Sequence, residues 1–141
     1  MISNKPESTW SESHLTLELT VWFREHYPEI PYRVDIAADM PLPRIHRGRL
    51  KVLHGKWSRG HTDLIIYSGR GGYSALMVEI KTLKAGTPNT EHIRTQSNYH
   101  EAVKGQGFNA GFGVGFDDCT NQIENYMKKK LNKKGRNYGK K

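Results

Sequence analysis

Two carboxylates and one lysine stand at the ends of two short apolar runs. Asp63 precedes the run Leu64–Tyr67, and Glu79 and Lys81 close the run that begins at Ala75. A glycine-rich break separates the runs, which predicts a β-hairpin. The acids therefore belong to neighbouring strands, and the pairing of the strands decides whether they meet.

The predicted hairpin brings the two acids together. With a five-residue loop, Gly69–Tyr73, Asp63 lies directly opposite Glu79. Cross-strand partners have Cβ atoms about 5 Å apart, and like charges in that position destabilise the pair. Side chains alternate along a strand, so Lys81 shares the face of Glu79 while Ile80 faces the opposite layer. Two carboxylates that converge beside a lysine indicate a bound cation.

Further motifs carry a family resemblance. They are the segments Arg49–Lys51, Gly60–Asp63 and Glu79–Thr82, together with Gln96 and the turn at Gly107-Phe108. With these motifs the chain, from about Thr9 to about Lys128, resembles the VRR-NUC family of the PD-(D/E)xK nuclease superfamily. Thr62 stands where that family usually has a proline before its first aspartate.

The resemblance implies a fold and an activity. The fold is α/β, a restriction-endonuclease-like PD-(D/E)xK core whose mixed β-sheet is flanked by helices. The activity is divalent-metal-dependent hydrolysis of phosphodiester bonds by a DNA endonuclease. Small stand-alone members look like viral or prophage proteins, which implies action in the cytoplasm of a bacterial host. Their resemblance to junction resolvases implies a homodimer acting on branched DNA.

The resemblance also assigns roles within the site. Hard divalent cations prefer oxygen ligands, and Mg²⁺ or Mn²⁺ would be held by Asp63, Glu79 and the main-chain carbonyl of Ile80. Lys81 would orient the attacking water and stabilise negative charge in the transition state. Gln96 would support the lysine. Whether Lys81 also removes a proton is left open by the sequence.

A helix near the N-terminus offers a third acid. Apolar residues from Leu15 to Phe23 form one helical stripe, and Thr9–Glu12 fits a capping box. Alternate apolar residues between Leu15 and Val21 would also suit a strand, but the length and the cap favour a helix. Glu18 interrupts the stripe, where a charge is costly unless paired. The family resemblance makes Glu18 a metal ligand; the alternative is a salt bridge at the helix edge.

The net charge of +8 is concentrated in two segments. Residues 128–141 hold eight bases and no acid, residues 41–62 hold six bases and no acid, and two such segments suggest a polyanion partner. The predicted DNA-binding residues are Arg44, Arg47, Arg49, Lys51, Lys56, Arg59, His61, Lys128, Lys129, Lys130, Lys133 and Lys134. We expect one domain over residues 1–131 and a basic, flexible tail over 132–141; a tail that only confers solubility is the alternative.

The basic segment 44–59 contains a short apolar group of Leu50, Val52 and Leu53, which we expect to be buried. Trp57 would stack on a base or anchor the loop. His61 would touch the scissile phosphate or serve only in a turn.

The remaining elements are predicted from periodicity and from Gly and Pro stops. Strands are expected over Tyr32–Ala38 and Asn109–Phe116, where alternating glycines permit close packing. Helices are expected from Asn89 or Thr90 to about Lys104, and over Asp117–Leu131.

Composition excludes several classes of protein. No run of about 18 apolar residues predicts a membrane span. The single cysteine, Cys119, cannot form an intrachain disulfide, and a structural zinc site has no ligand set. Two rival functions stay open. One is a catalytically inactive nucleic-acid-binding module with the same fold, and the other is a structural protein whose carboxylates and lysine form a core ion pair.

Overall fold

A computed structural model describes residues 4–35, 44–57, 62–84 and 90–134. Within these residues one four-stranded sheet has the order β1 (Tyr32–Val34), β2 (Leu64–Ile66), β3 (Leu76–Lys81) and β4 (Asn109–Val114). The α-helices are α1 (Glu12–His26), α2 (Arg44–His54), α3 (Thr90–Gly105) and α4 (Gly115–Met127). β1, β2 and β3 pair antiparallel, and β3 and β4 pair parallel. The predicted α/β class with a mixed sheet is confirmed.

The central strand β3 is buried on both faces because helices cover the sheet. Its residues Leu76, Val78 and Ile80 join the apolar core that α1 and α4 complete. Parallel pairing requires a crossover connection. The crossover from β3 to β4 runs through α3, which packs against β4. The site residues of β3 are therefore enclosed on the side of α3.

The hairpin register agrees with the prediction. Leu64 pairs with Val78 and Ile66 pairs with Leu76, and continuing this register by one residue puts Asp63 opposite Glu79. The second strand extends to Lys81 as expected. The prediction that Ile80 faces the layer opposite Glu79 is confirmed, since Ile80 is fully buried in the apolar core.

The start of α1 differs from the predicted capping box. The first turn is a short 3₁₀ helix, Glu7–Thr9, and the Thr9 hydroxyl donates to the Pro6 carbonyl. Ser11 is the N-cap, and its hydroxyl accepts a hydrogen bond of 3.1 Å from the His14 amide. Glu12 is therefore the first residue of α1, and the N-cap is Ser11 where the predicted Thr9–Glu12 capping box had Thr9. The prediction of a helix rather than a strand is confirmed.

The C-terminal boundaries are also shifted. β4 ends at Val114 because Gly115 adopts a φ of +82°, and α4 begins there. The amide of Val114 donates to the Asp118 carboxylate at 2.8 Å, which ties the strand end to the helix start. The prediction that the last helix continues to Leu131 is wrong, because α4 ends at Met127.

The glycines of β4 allow α4 to approach closely. A Cβ on Gly113 would lie 2.5 Å from the Cys119 sulfur and 3.2 Å from a Val78 methyl carbon. Real Cβ atoms do not come so close, so this position accepts no side chain without movement of the helix. At Gly111 a Cβ would meet no atom within 4 Å. The predicted close packing is therefore confirmed at one glycine of the strand.

Two other predictions concern the first half of the chain. The strand predicted over Tyr32–Ala38 ends at Val34, and residues 36–43 lie outside the described part. The basic segment contains helix α2, which the sequence did not predict. Val52 and Leu53 on this helix are 84% and 77% exposed, so their prediction as part of a short apolar core is wrong.

Candidate active site

Three carboxylates converge at the end of the hairpin opposite its turn. They are Glu12, Asp63 and Glu79, and one oxygen from each lies within 4.8 Å of the others. Asp63 and Glu79 are buried, and Glu12 is half-buried. Three acids so close repel one another unless protons or a cation neutralise them. The cluster is therefore a candidate site for a cation with oxygen ligands.

Asp63 is held rigidly by the neighbouring strand. Its Oδ2 accepts a hydrogen bond of 2.7 Å from the main-chain amide of Ile80. Burial raises the pKa of Asp63, and this amide opposes the rise because it stabilises the charged form. The bond fixes the direction of the carboxyl group.

Glu79 is the most perturbed acid of the cluster. Burial, reinforced by the negative charge of Asp63, raises its pKa to about 9, although the Lys81 ammonium favours the charged form. Its Oε2 is buried and accepts no hydrogen bond from the described residues. A buried carboxylate oxygen without a partner fits a cation ligand, because an ion would satisfy it and neutralise the repulsion.

Gln96 supports Glu79 from α3. Its side chain is buried, and its Nε2 donates a hydrogen bond to Glu79 Oε1. The structure thus brings Gln96, which the resemblance placed in the site, into contact with the cluster. Its direct partner is the carboxylate, whereas the resemblance suggested the lysine. Gln96 therefore fixes one oxygen of Glu79 and leaves the other for the cluster.

Lys81 lies at the edge of the cluster. Its Nζ is 3.9 Å from Glu79 Oε1 and 5.8 Å from the centre of the Phe112 ring. The Lys81 side chain is 23% exposed. A cation over an aromatic face is weakly attracted to it. Lys81 Nζ therefore lies between a carboxylate of the cluster and the Phe112 ring.

Glu18 is not one of the three converging acids, and the metal-ligand role that the resemblance gave it stays a prediction. It is buried on α1, and its Oε1 lies 3.4 Å from His14 Nε2. This contact corresponds to the salt-bridge alternative. The third carboxylate of the cluster is Glu12, six residues earlier on the same helix. The sequence offered only one signal for Glu12, an acid at a helix start, and that signal is shared with ordinary capping residues.

Exchange of these two glutamates for glutamine separates their roles. Glu12→Gln is expected to weaken Mn²⁺ binding about tenfold, because a cation ligand loses its charge. Glu18→Gln is expected to leave Mn²⁺ affinity within about twofold of wild type and to lower thermal stability instead. Isothermal titration and thermal melts measure both quantities. A larger loss of Mn²⁺ affinity in Glu18→Gln would return the ligand role to Glu18.

The predicted DNA-binding residues fall into two groups. Arg44, Arg47, Arg49 and Lys51 lie on α2, and Lys56 follows it in a short 3₁₀ helix. Arg49, Lys51 and Lys56 are exposed, whereas of Arg44 and Arg47 the structure describes the backbone. Arg59 and His61 lie outside the described residues. In the second group Lys128, Lys129, Lys130, Lys133 and Lys134 are all exposed.

Trp57 links the basic helix to α3. Its ring meets the Tyr99 ring edge-on at 6.0 Å between centroids, and Lys56 Nζ lies 4.9 Å above it. This contact fits the anchoring alternative. The ring is still 40% exposed, so stacking on a base stays a prediction.

The fold and the site define a class: a restriction-endonuclease-like α/β domain with an acidic cluster and a lysine on adjacent strands. A solved structure described as a VRR_NUC domain protein has the same fold. The TM-score is 0.60 at 20% sequence identity, over 84% of this chain and 89% of that chain. The fold that the resemblance implied is thus confirmed. No protein-family model and no curated protein matches the chain. Among the described helices, none is long and apolar enough to cross a membrane.

Proposed function

We propose that this protein is a divalent-metal-dependent DNA endonuclease. The observation that carries the proposal is the convergence of Glu12, Asp63 and Glu79 beside Lys81, with a buried Glu79 oxygen left without a hydrogen bond. An ion pair formed only for stability would need one acid for one lysine. Three acids for one lysine leave an excess of negative charge that a cation neutralises.

Each residue has a defined task in phosphodiester hydrolysis. Asp63, Glu79, Glu12 and the carbonyl of Ile80 would hold Mg²⁺ or Mn²⁺. A cation in this cluster would supply the positive charge that stabilises the transition state of phosphoryl transfer. Lys81 holds the attacking water and faces the charge that develops on the phosphate oxygens. Gln96 keeps Glu79 oriented through its hydrogen bond.

The substrate follows from charge and from the family resemblance. Exposed bases on α2 and after α4 supply salt-sensitive affinity for phosphates without reading base sequence. We propose branched DNA as the preferred substrate and a homodimer as the active form, since a two-fold symmetric pair of sites cuts two strands symmetrically. We also propose that the enzyme acts in the cytoplasm of a bacterial cell, encoded by a phage or prophage.

The test is cleavage of labelled plasmid and of synthetic four-way DNA in Mg²⁺, Mn²⁺ or EDTA. We expect cutting with either metal, none in EDTA, and none by Asp63→Ala. Faster cutting of the four-way substrate than of linear duplex would support the branched preference. DNA binding without cutting under every metal would contradict the proposal and favour an inactive binding module.

A further inference from the structure

The turn that joins β2 to β3 is built to receive another segment of the chain. Arg70 and Tyr73 exchange two backbone hydrogen bonds, of 3.0 and 2.9 Å, across Gly71-Gly72. Both glycines have positive φ values, +61° and +89°, which residues with a side chain adopt at a cost. The turn is therefore tight. The main-chain amides of Gly71 and Gly72 face outward and can donate hydrogen bonds to groups outside the hairpin.

Asn132 supplies the partner of the Gly72 amide and makes two further hydrogen bonds to the turn. Its Oδ1 accepts from the Gly72 amide at 2.8 Å, and its Nδ2 donates to the Tyr73 carbonyl at 2.8 Å. Its own backbone amide donates to the Gly69 carbonyl at 2.9 Å. Three hydrogen bonds thus fasten one residue of the predicted tail to the turn. The first residue of the predicted tail is therefore docked on the hairpin turn, and the flexibility expected of the rest of the tail stays a prediction.

Glycines at the turn make this docking sterically possible. A Cβ on Gly69 would lie 2.9 Å from Asn132 Nδ2, and a Cβ on Gly71 would lie 2.9 Å from Lys129 Cδ. The Gly71 amide also donates to the Lys130 carbonyl at 2.8 Å. The hairpin turn and the segment that follows α4 therefore fit one another along several residues.

The docked segment is strongly basic. Residues 128–134 contain five lysines and no acid, and all five are exposed. Arg70 is tied down by the Ser68 hydroxyl at 3.1 Å and the Lys129 carbonyl at 3.4 Å, so it helps to hold the segment. Positive charge fixed to a rigid support binds phosphates better than the same charge on a flexible chain, because less conformational entropy is lost.

We propose that residues 128–134, which Asn132 docks on the hairpin turn, form a preformed phosphate-binding ridge. This ridge binds the nucleic-acid backbone at a position distant from the acidic cluster. The basic ridge rests on the proposed function for its ligand, the phosphodiester backbone. Tyr73 is six residues from Glu79 along the hairpin. Extended chain rises about 3.3 Å per residue, so the turn on which the ridge is docked lies up to about 20 Å from the cluster. That distance spans about six base pairs of duplex at about 3.4 Å each.

Two kinds of variant test the ridge. For both, the affinity for fluorescent duplex DNA is measured in EDTA, so that cleavage does not interfere. Asn132→Ala and Gly69→Ala undock the segment without changing its charge. The double variant Lys129→Gln with Lys133→Gln removes charge and keeps the docking residues. Asn121→Ala, at an exposed position on α4, is the matched control. Hydrogen exchange of the Gly71 and Gly72 amides reports docking directly.

We expect both undocking variants to speed exchange at Gly72 and to weaken DNA binding about fivefold, with a nearly unchanged dependence on salt. The lysine variant should lower the slope of log affinity against log salt by about 1.8, the value for two lost phosphate contacts. Asn121→Ala should match wild type. Faster exchange with unchanged affinity would overturn the ridge. Unchanged exchange in both undocking variants would overturn the docking role of Asn132.

The position of the ridge is tested separately, in the cleavage assay. Replacement of one phosphate, about six nucleotides from the cleaved bond, by an uncharged methylphosphonate should slow cleavage by the wild-type protein. It should have little effect on cleavage by the lysine variant. Equal slowing of both proteins would overturn the assigned position. Because the binding measurements are made in EDTA, absence of cleavage would count against the proposed nuclease and leave the ridge result standing.

Discussion

Replacement of Glu79 by glutamine is expected to stabilise the metal-free protein at pH 8 and to abolish metal-dependent cleavage. The carboxyl of Glu79 is 3% exposed, and burial with the charge of Asp63 raises its pKa to about 9. At pH 8 the folded protein must therefore keep a proton on Glu79 or bear a buried, repelled charge. Glutamine has nearly the same shape, carries no charge and can still accept the hydrogen bond of Gln96.

The pH dependence of stability follows from the same pKa. Between an unfolded-state pKa of about 4.5 and a folded-state pKa of about 9, the folded protein binds more protons than the unfolded chain. The free energy of unfolding of metal-free wild type should therefore fall as pH rises through this range. The Glu79→Gln variant should lose most of this pH dependence. Its free energy of unfolding at pH 8 should exceed that of the wild-type protein by on the order of 3 kcal/mol. Denaturant unfolding in EDTA at pH 5 to 9 measures both.

Metal addition separates the functional role of Glu79 from its effect on stability. Mn²⁺ should stabilise wild type by mass action and release a proton at pH 8, and it should do neither in Glu79→Gln. Glu101→Gln, the same change at a side chain 76% exposed on α3, should behave as wild type in every respect. A Glu79→Gln protein that still cuts DNA with Mn²⁺, or whose stability has the wild-type pH dependence, would contradict this role of Glu79.

The opposed positions of Asp63 and Glu79 were predictable from sequence, because they depend on the number of residues in the turn and along each strand. Alternation along a strand and the length of one glycine-rich turn fix which residues face each other. The turn itself is tighter than the five residues expected, with Arg70 paired to Tyr73. The pairing of Leu64 with Val78 nevertheless has the predicted register. Local pattern was sufficient for Asp63 and Glu79.

Glu12 was not predictable in the same way because its position depends on tertiary packing. A helix start can lie anywhere relative to a sheet until its apolar face is docked, and α1 docks through Leu15, Leu19 and Phe23. Periodicity predicted that face correctly. Which end of the helix reaches the acids depends on the path of the chain between α1 and β2, and no local pattern encodes that path.

Asn132 shows the same limit at the other end of the chain. In sequence it is one polar residue among lysines, which is typical of a solvated tail. Its hydrogen bonds reach Gly72 and Tyr73, about 60 residues away. Only the folded chain brings them together. Helix α2 was missed for a different reason: Val52 and Leu53 are exposed on it, so their apolar character does not mark a buried face.

Replacement of Lys81 by methionine is expected to reduce the cleavage rate at least about 10³-fold while metal binding is retained, because methionine keeps the length of the stem and removes the charge. Lys81 Nζ is 3.9 Å from Glu79 Oε1, and the side chain is 23% exposed. A partly exposed pair at this distance contributes about 1 kcal/mol or less, so stability should change little. Single-turnover cleavage, Mn²⁺ titration and thermal melts give the three quantities.

The Lys81 variant also decides between an enzyme and a structural ion pair. Lys104→Met is the control, since Lys104 pairs with Glu101 at 3.4 Å on α3 and is 48% exposed. If Lys81 serves only to neutralise Glu79, its loss must leave a buried acid unpaired and lower stability by about 3 kcal/mol or more, far beyond the control. If Lys81 serves catalysis, the two variants melt alike and differ only in cleavage. The excess of acids at this site favours the second result, because burial and the negative charge of Asp63 raise the pKa of Glu79 and favour its uncharged form without the ammonium.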